Sequence, residues 1–150
     1  VGLSKLPPMV ACFELIRRGL EKGLGLRPTI ERPQDALPLL SAIRDQRREH
    51  FYCLYLNVRN QVIHGEVISI GSLSSFIVHP REVLHPAITH VVASMALAHN
   101  HPSGDVSPSR DDIELTRRLV HAGSIMEIDV LDHIILGEDC FLSMKERGLM

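Results

Sequence analysis

The run from His50 to Val58 constrains this chain most. It is rich in aromatic and branched residues and apolar on both faces. A strand of that kind must sit inside a sheet, with cover above and below it. The flanking sequence supplies the cover. Ala36 to Arg48 predicts a helix with Leu37, Leu40 and Ile43 on one face. Arg59-Asn60-Gln61 predicts a turn into a second strand, Val62 to Ile70, so the pair forms a hairpin ending at Gly71. Phe76 to Val78 reads as a short strand, and Pro80 at a first helical turn opens a helix to about His90. Periodicity does not separate helix from strand over Val91 to Ala98. The loop sequence Asn-His-Pro-Ser-Gly that follows favours a strand for its second half. Ser109 to Ala122 predicts a helix with two apolar lines (Ile113, Thr116 and Val120; Leu115, Leu119 and Ala122), stopped by Gly123. Ile125 to Leu136 then gives one or two apolar strands, and Cys140 to Ser143 a last one. The fold class expected is α/β, of the mixed α+β kind: a mixed sheet with flanking helices.

Ahead of this unit, residues 1–25 read as one helix, with Met9, Phe13, Ile16 and Leu20 on a stripe and Gly23 and Gly25 as stop signals. Residues 26–34 read as a linker, leaving a compact unit over 35–150. The chain starts at Val1 rather than Met, as a piece of a longer protein would. Its 150 residues suit one ordinary domain, and 45% hydrophobic with 23% charged positions excludes a disordered tail. The longest uncharged stretch, Val83 to Ser103, is interrupted by histidines, Pro86 and Asn100, so no membrane span is expected. The opening residues show no charged stretch followed by an apolar run and a cleavage site, so no secretory signal is expected. Three widely spaced cysteines (Cys12, Cys53, Cys140) predict free thiols in a reducing, cytoplasmic compartment, with Cys53 and Cys140 buried as small hydrophobes. Net charge is −2. The basic clusters (Arg17, Arg18 and Lys22; Arg44, Arg47 and Arg48; Arg117 and Arg118) read as solvated helix faces, so charge does not support nucleic acid as a partner.

Nine histidines are more informative, because neutral imidazole is a common metal ligand. His99 and His101 project from one face if the backbone is extended, and both can then reach one ion at about 2.0–2.1 Å. Asn100 between them points the other way and receives no catalytic role. A carboxylate completes three protein ligands and leaves a position open for water, as a hydrolytic zinc requires. Asp112 in the first turn of the next helix is best placed, with Asp105 and Asp111 as rivals. Ser109-x-x-Asp112 is equally a helix cap that needs no metal. Pro102 and Gly104 shape the connecting loop. Asp132 and His133 read as a hydrogen-bonded core pair or as residues that orient a ligand. His79 and Arg81 read as a helix start or as a contact for a substrate carboxylate. His64, His85, His90 and His121 show no partner and are expected to face solvent.

The spacing His99-x-His101-Pro102, with seven residues between His101 and Ser109 and two between Ser109 and Asp112, resembles the JAMM signature of MPN-type zinc peptidases. The wording resembles the bacterial RadC family more closely still. Its blocks are His79-Pro80-Arg81-Glu82, His99-Asn100-His101-Pro102-Ser103-Gly104-Asp105, Asp112-Ile113 with Thr116, Leu119 and Gly123, and Leu131-Asp132-His133-Ile134-Ile135-Leu136-Gly137. The resemblance covers residues 35 to 148. Glu14-Leu15 and Arg17-Arg18 further resemble the end of the helix-hairpin-helix-like segment that precedes the RadC core.

The resemblance implies a JAMM/MPN, cytidine-deaminase-like architecture and a Zn2+ cofactor. His99, His101 and Asp112 would be its ligands, and Ser109 would stabilise an oxyanion. It also implies an upstream glutamate that takes a proton from water at the metal. Glu49, just before the apolar strand, matches the family position best; Glu66 and Glu82 are the alternatives. The activity implied is zinc-dependent cleavage of a peptide or isopeptide-like amide in a peptide or protein substrate. Two other readings compete: a non-catalytic DNA-repair or protein-interaction accessory module, and a metal-dependent nuclease suggested only by the repair label on the family name.

Overall fold

The computed structural model describes residues 26–71 and 78–150. The helix expected over 1–25 lies outside the described residues, as do Phe76 and Ile77 of the short strand; Val78 is a buried bend. Five strands form one mixed sheet: β1 (His50–Leu56), β2 (Val62–Ile70), β3 (Ser94–Asn100), β4 (Asp129–Leu136) and β5 (Phe141–Ser143). Their order is β2-β1-β3-β4-β5. β1 pairs antiparallel with β2 and with β3, β3 parallel with β4, and β4 antiparallel with β5. The run His50 to Val58 accordingly yields an interior strand, flanked on both sides and closed by a turn at Asn60.

The parallel β3–β4 pair needs a crossover, which α4 (Arg110–Ile125) supplies. Together with α3 (Pro80–Thr89), α4 covers one face of the sheet. Phe51, Cys53, Tyr55, Met95 and Leu97 from the strands meet Val83, Ala87, Leu115 and Leu119 from these helices. The opposite face, with Leu54, Leu56, Ala96, Ala98, Ile134 and Leu136, packs on Ala36, Leu40 and Ile43. β3 is buried along its whole length because both layers close over it.

Two expected elements differ. The helix over Ala36 to Arg48 is instead a broken segment: α1 (Pro33–Ala36), a 3-10 turn (Leu37–Leu40) and α2 (Ser41–Arg44). Pro38 has no N–H to give to the carbonyl four residues back, so the regular ladder cannot pass through it. Gly123 does not stop α4, which runs on to Ile125. A side chain at Gly123 would collide with the Ile128 carbonyl, so glycine serves there to let the chain fold back closely into β4. Within residues 26–34, Val62 N–H donates to Pro28 O (2.8 Å), Ile30 N–H donates to Asn60 O (2.9 Å), and Ile30 is buried. No helix among the described residues is long and apolar enough to cross a membrane.

Candidate metal centre

The register of β3 decides what its end can present. Met95 and Leu97 face α4, so His99 does too, and Asn100 faces the other layer. His101 lies one step beyond β3, where its N–H still donates to Leu136 O at 2.8 Å. The chain then turns, with Gly104 N–H bonding to His101 O (3.0 Å) and Gly104 at φ 83°, a conformation that favours glycine. This loop returns the backbone to Ser109, the N-cap of α4. Ser109 Oγ accepts from Asp112 N–H (3.0 Å), and Asp112 Oδ2 accepts from Ser109 N–H (2.8 Å). The expected helix cap is real, and it aims Asp112 at the two histidines.

His99 Nε2 lies 3.4 Å from Asp112 Oδ1, and His101 Nε2 lies 3.4 Å from Asp112 Oδ2. The two Nε2 atoms are 2.9 Å apart. A tetrahedral zinc with bonds near 2.0–2.1 Å separates its ligand atoms by about 3.3 Å. Each nitrogen–oxygen spacing is close to that, though to a different carboxylate oxygen, and the nitrogens stand a few tenths of an ångström closer. The three side chains are therefore near enough to share one ion. Among the described residues, these three form the group of His, Cys, Asp or Glu side chains whose ligand atoms cluster closely enough to hold a metal. Asp105 and Asp111 line the neighbouring cavity instead. The Asp105 carboxylate accepts from Ser107 N–H at 2.9 Å.

Proton accounting sharpens the geometry. His101 Nδ1 is 2.6 Å from the Asp105 carbonyl, which can only accept, so Nδ1 carries the hydrogen. For His99 the direction is set further away. Thr116 O–H donates to the Asp112 carbonyl (2.6 Å), so its oxygen accepts from His133 Nδ1 (2.6 Å). His133 Nε2 then accepts from His99 Nδ1 at 2.8 Å. Both ligand-type histidines, when neutral, therefore turn bare Nε2 lone pairs towards each other and towards a carboxylate. Three acceptors facing one point call for a cation.

Without a cation at this point the imidazoles would take up protons instead. Burial alone would raise the Asp112 pKa, but protonated His101 and His99, donating from Nε2, hold this carboxyl well below the usual carboxylate range. The Asp112 carboxylate in turn raises His101 above an ordinary imidazole, against the opposing effect of burial. Burial, followed by the charge of His99, keeps His133 well below the ordinary imidazole value, as its acceptor role requires.

Glu49, His101, Ser109 and Asp112 line one cavity of about 380 Å3, with Pro102, Ser103, Asp105, Ser107 and Asp111. Glu66 and Glu82 lie elsewhere, on a cavity between β2 and α3. Glu66 sits 3.3 Å from His64, and Glu82 accepts from the N–H of His79, the N-cap of α3. Arg81 lines that second cavity as well.

Several expectations need correction. Cys140 is exposed, because it sits in the turn before β5; Cys53 is fully buried. His64 is half-buried, stacked between Tyr55 and His90 at ring separations of 5.8 and 4.2 Å, so neither it nor His90 is without a partner. His85 and His121 are exposed. Asp132 and His133 are buried and hydrogen-bonded as expected, but through the His133 backbone N–H to Asp132 Oδ1 (2.7 Å) and not side chain to side chain. Of the two, His133 alone reaches a ligand-type residue, His99. The Asp132 carboxylate binds Ser143 Oγ (2.6 Å) and Lys145 N–H (3.1 Å), because neighbouring strand residues face opposite sides of the sheet. Thr116, read as part of an apolar helix line and of a family block, and Asn100, given no catalytic role, are both buried hydrogen-bonding centres.

This arrangement, a strand-end pair of histidines with a helix-start aspartate on a helix-flanked mixed sheet, defines a JAB-type domain. The family pattern described as the RadC-like JAB domain matches residues 30–149, and the chain belongs to that family. It is 51% identical over 149 residues to UPF0758 proteins of Bacillus cereus (strain 03BB102), Bacillus anthracis (strain CDC 684 / NRRL 3495) and Bacillus thuringiensis subsp. konkukian (strain 97-27). Each match takes in 99% of this chain and 66% of the relative, so the chain spans about two-thirds of those proteins.

Proposed function

We propose that this chain is a zinc-dependent hydrolase of the JAMM type, cleaving a peptide or isopeptide-like amide. The observation that carries the reading is the convergence of two bare imidazole nitrogens and one carboxylate beside a cavity lined by Glu49 and Ser109. His99, His101 and Asp112 would hold the ion. Zinc bound there would supply a Lewis acid that polarises a carbonyl and acidifies water. Glu49 takes the proton from the attacking water and returns it to the leaving amine. The Ser109 hydroxyl is suited to the oxyanion: capping uses its oxygen as an acceptor, which leaves its own proton to donate into the cavity. His133 and Thr116 keep His99 in the tautomer that presents Nε2.

The test has two parts. Elemental analysis of purified protein should find about one zinc per chain, and His101→Ala should lose it. A peptide and isopeptide library read by mass spectrometry should then show cleavage that Glu49→Gln abolishes while zinc is retained. Cleavage that survives Glu49→Gln sinks the assignment of the base, and the absence of metal after zinc is added back sinks the whole reading.

A further inference from the structure

We propose that Asn100, the residue between the two histidines, is a positioning residue that locks the turn carrying Glu49 onto the strand carrying the metal ligands. The inference rests on the reading of Glu49 as the base. Asn100 is fully buried on the face of the sheet away from the metal site. Its side chain makes three hydrogen bonds, all to the backbone of residues 46–50. Oδ1 accepts from His50 N–H at 2.6 Å, and Nδ2 donates to Gln46 O and Arg48 O, each at 3.1 Å. Glu49 lies between two of these clamped positions, and its own carbonyl accepts from Gly71 N–H at 2.8 Å.

On the β2 side the turn is tied by the pairing of His50 with Ile70 and by Gly71, and within itself by His50 Nδ1 on Arg48 O (2.8 Å). On the β3 side Asn100 supplies the tie. α2 ends at Arg44, and the ladder between β1 and β3 begins only at Phe51 opposite His99. Between them the chain must bring a carboxylate to a cavity whose other walls come from residues 101–112. One primary amide meets this need, because it offers an acceptor and two donors in one plane. Aspartate has the same shape but no donors, and would set a carboxylate against two carbonyl oxygens. Alternation along β3 thus gives three successive residues two tasks. The outer two face the metal site, and the middle one, on the opposite face, holds the turn that carries the base.

The experiment uses zinc-loaded full chain and acetohydroxamic acid, which chelates zinc and passes its proton to an adjacent base. Wild type, Glu49→Gln, Asn100→Asp and the double variant are compared by calorimetric titration. Zinc affinity is measured in parallel by chelator competition, and exchange of the Gly71 amide by NMR. Glu49→Gln should weaken hydroxamate binding by about tenfold or more, and Asn100→Asp by several-fold. The double variant should bind no worse than Glu49→Gln alone, zinc affinity should hold in all four, and Gly71 should exchange faster in Asn100→Asp. Unchanged Gly71 exchange overturns the clamp. Losses that add fully in the double variant overturn action through Glu49. If Glu49→Gln alone leaves hydroxamate binding unchanged while Gly71 exchange still rises, the base reading has failed and Asn100 is a structural clamp only. Asn100→Gln, which keeps both donors on a longer stem, should recover part of the binding.

Discussion

The two ends of β3 solve opposite problems. At its C-terminal end, His99, Asn100, His133, Thr116 and Asp112 are buried polar groups, and each is hydrogen-bonded to another residue with a defined direction. At its N-terminal end three turns converge, after β1, before β3 and before β4. Each contains a non-glycine residue in the left-handed region: Asn60 (φ 57°), Val91 (φ 53°) and Glu127 (φ 54°). The one buried side-chain polar atom without a partner among the described residues, Ser94 Oγ, is at this end too. Val58, Val91, Ile125 and Met126 are exposed there. One end needs side chains at set angles and achieves that by satisfying every donor. The other needs only to reverse the chain, and tolerates strain and an orphaned hydroxyl.

Four substitutions test that contrast. Asp112→Ala removes a ligand and the capping bond from Ser109 N–H to its carboxylate, while its own backbone N–H still donates to Ser109 Oγ. Zinc content should fall from about one per chain to near zero, with about 1 kcal/mol or less lost from the helix start. Elemental analysis and urea unfolding read the two effects. Gly123→Ala drives a methyl into the Ile128 carbonyl and should cost about 1–3 kcal/mol or more, with metal content unchanged. A variant that unfolds at the wild-type urea midpoint would show that the chain reversal there is loose. Thr116→Val keeps the packing but leaves His133 Nδ1–H without its acceptor. Zinc affinity should drop roughly tenfold by chelator competition. An unaltered affinity would break the claim that direction is set from Thr116. Val91→Gly relieves a branched residue at positive φ on an 86% exposed position. It should raise stability by about 0.5–1 kcal/mol after glycine's own entropy cost. A midpoint that does not rise would remove strain from the description of that end.

Much of the frame could be read from local pattern. β2 runs from Val62 to Ile70 as the turn before it and Gly71 after it predict, and Pro80 opens α3 where its missing N–H costs nothing. The spacing of His99, His101 and Asp112 foretold a cluster because a strand end, a short loop and a helix start are local objects. What depended on contacts across the fold was harder to read. Pro38 sat in plain view, yet the apolar spacing of Leu37, Leu40 and Ile43 suggested an unbroken helix. Gly123 looked like a stop signal, but the residue that makes glycine necessary, Ile128, comes after a turn. Asn100 and Thr116 were legible as residue types only. Their partners lie on another strand and on the turn before β1, where no periodicity reports them.

His99, His101 and Asp112 are close neighbours along the chain as well as in space, and Glu49 is not. A denatured chain can therefore still chelate a cation through these three donors, since closing so short a loop costs little entropy. Such binding offsets the stabilisation that a ligand confers through the native state alone. Zinc should accordingly raise the melting temperature by less than its native-state affinity implies, and a thermal-shift screen would understate how tightly this protein holds its metal.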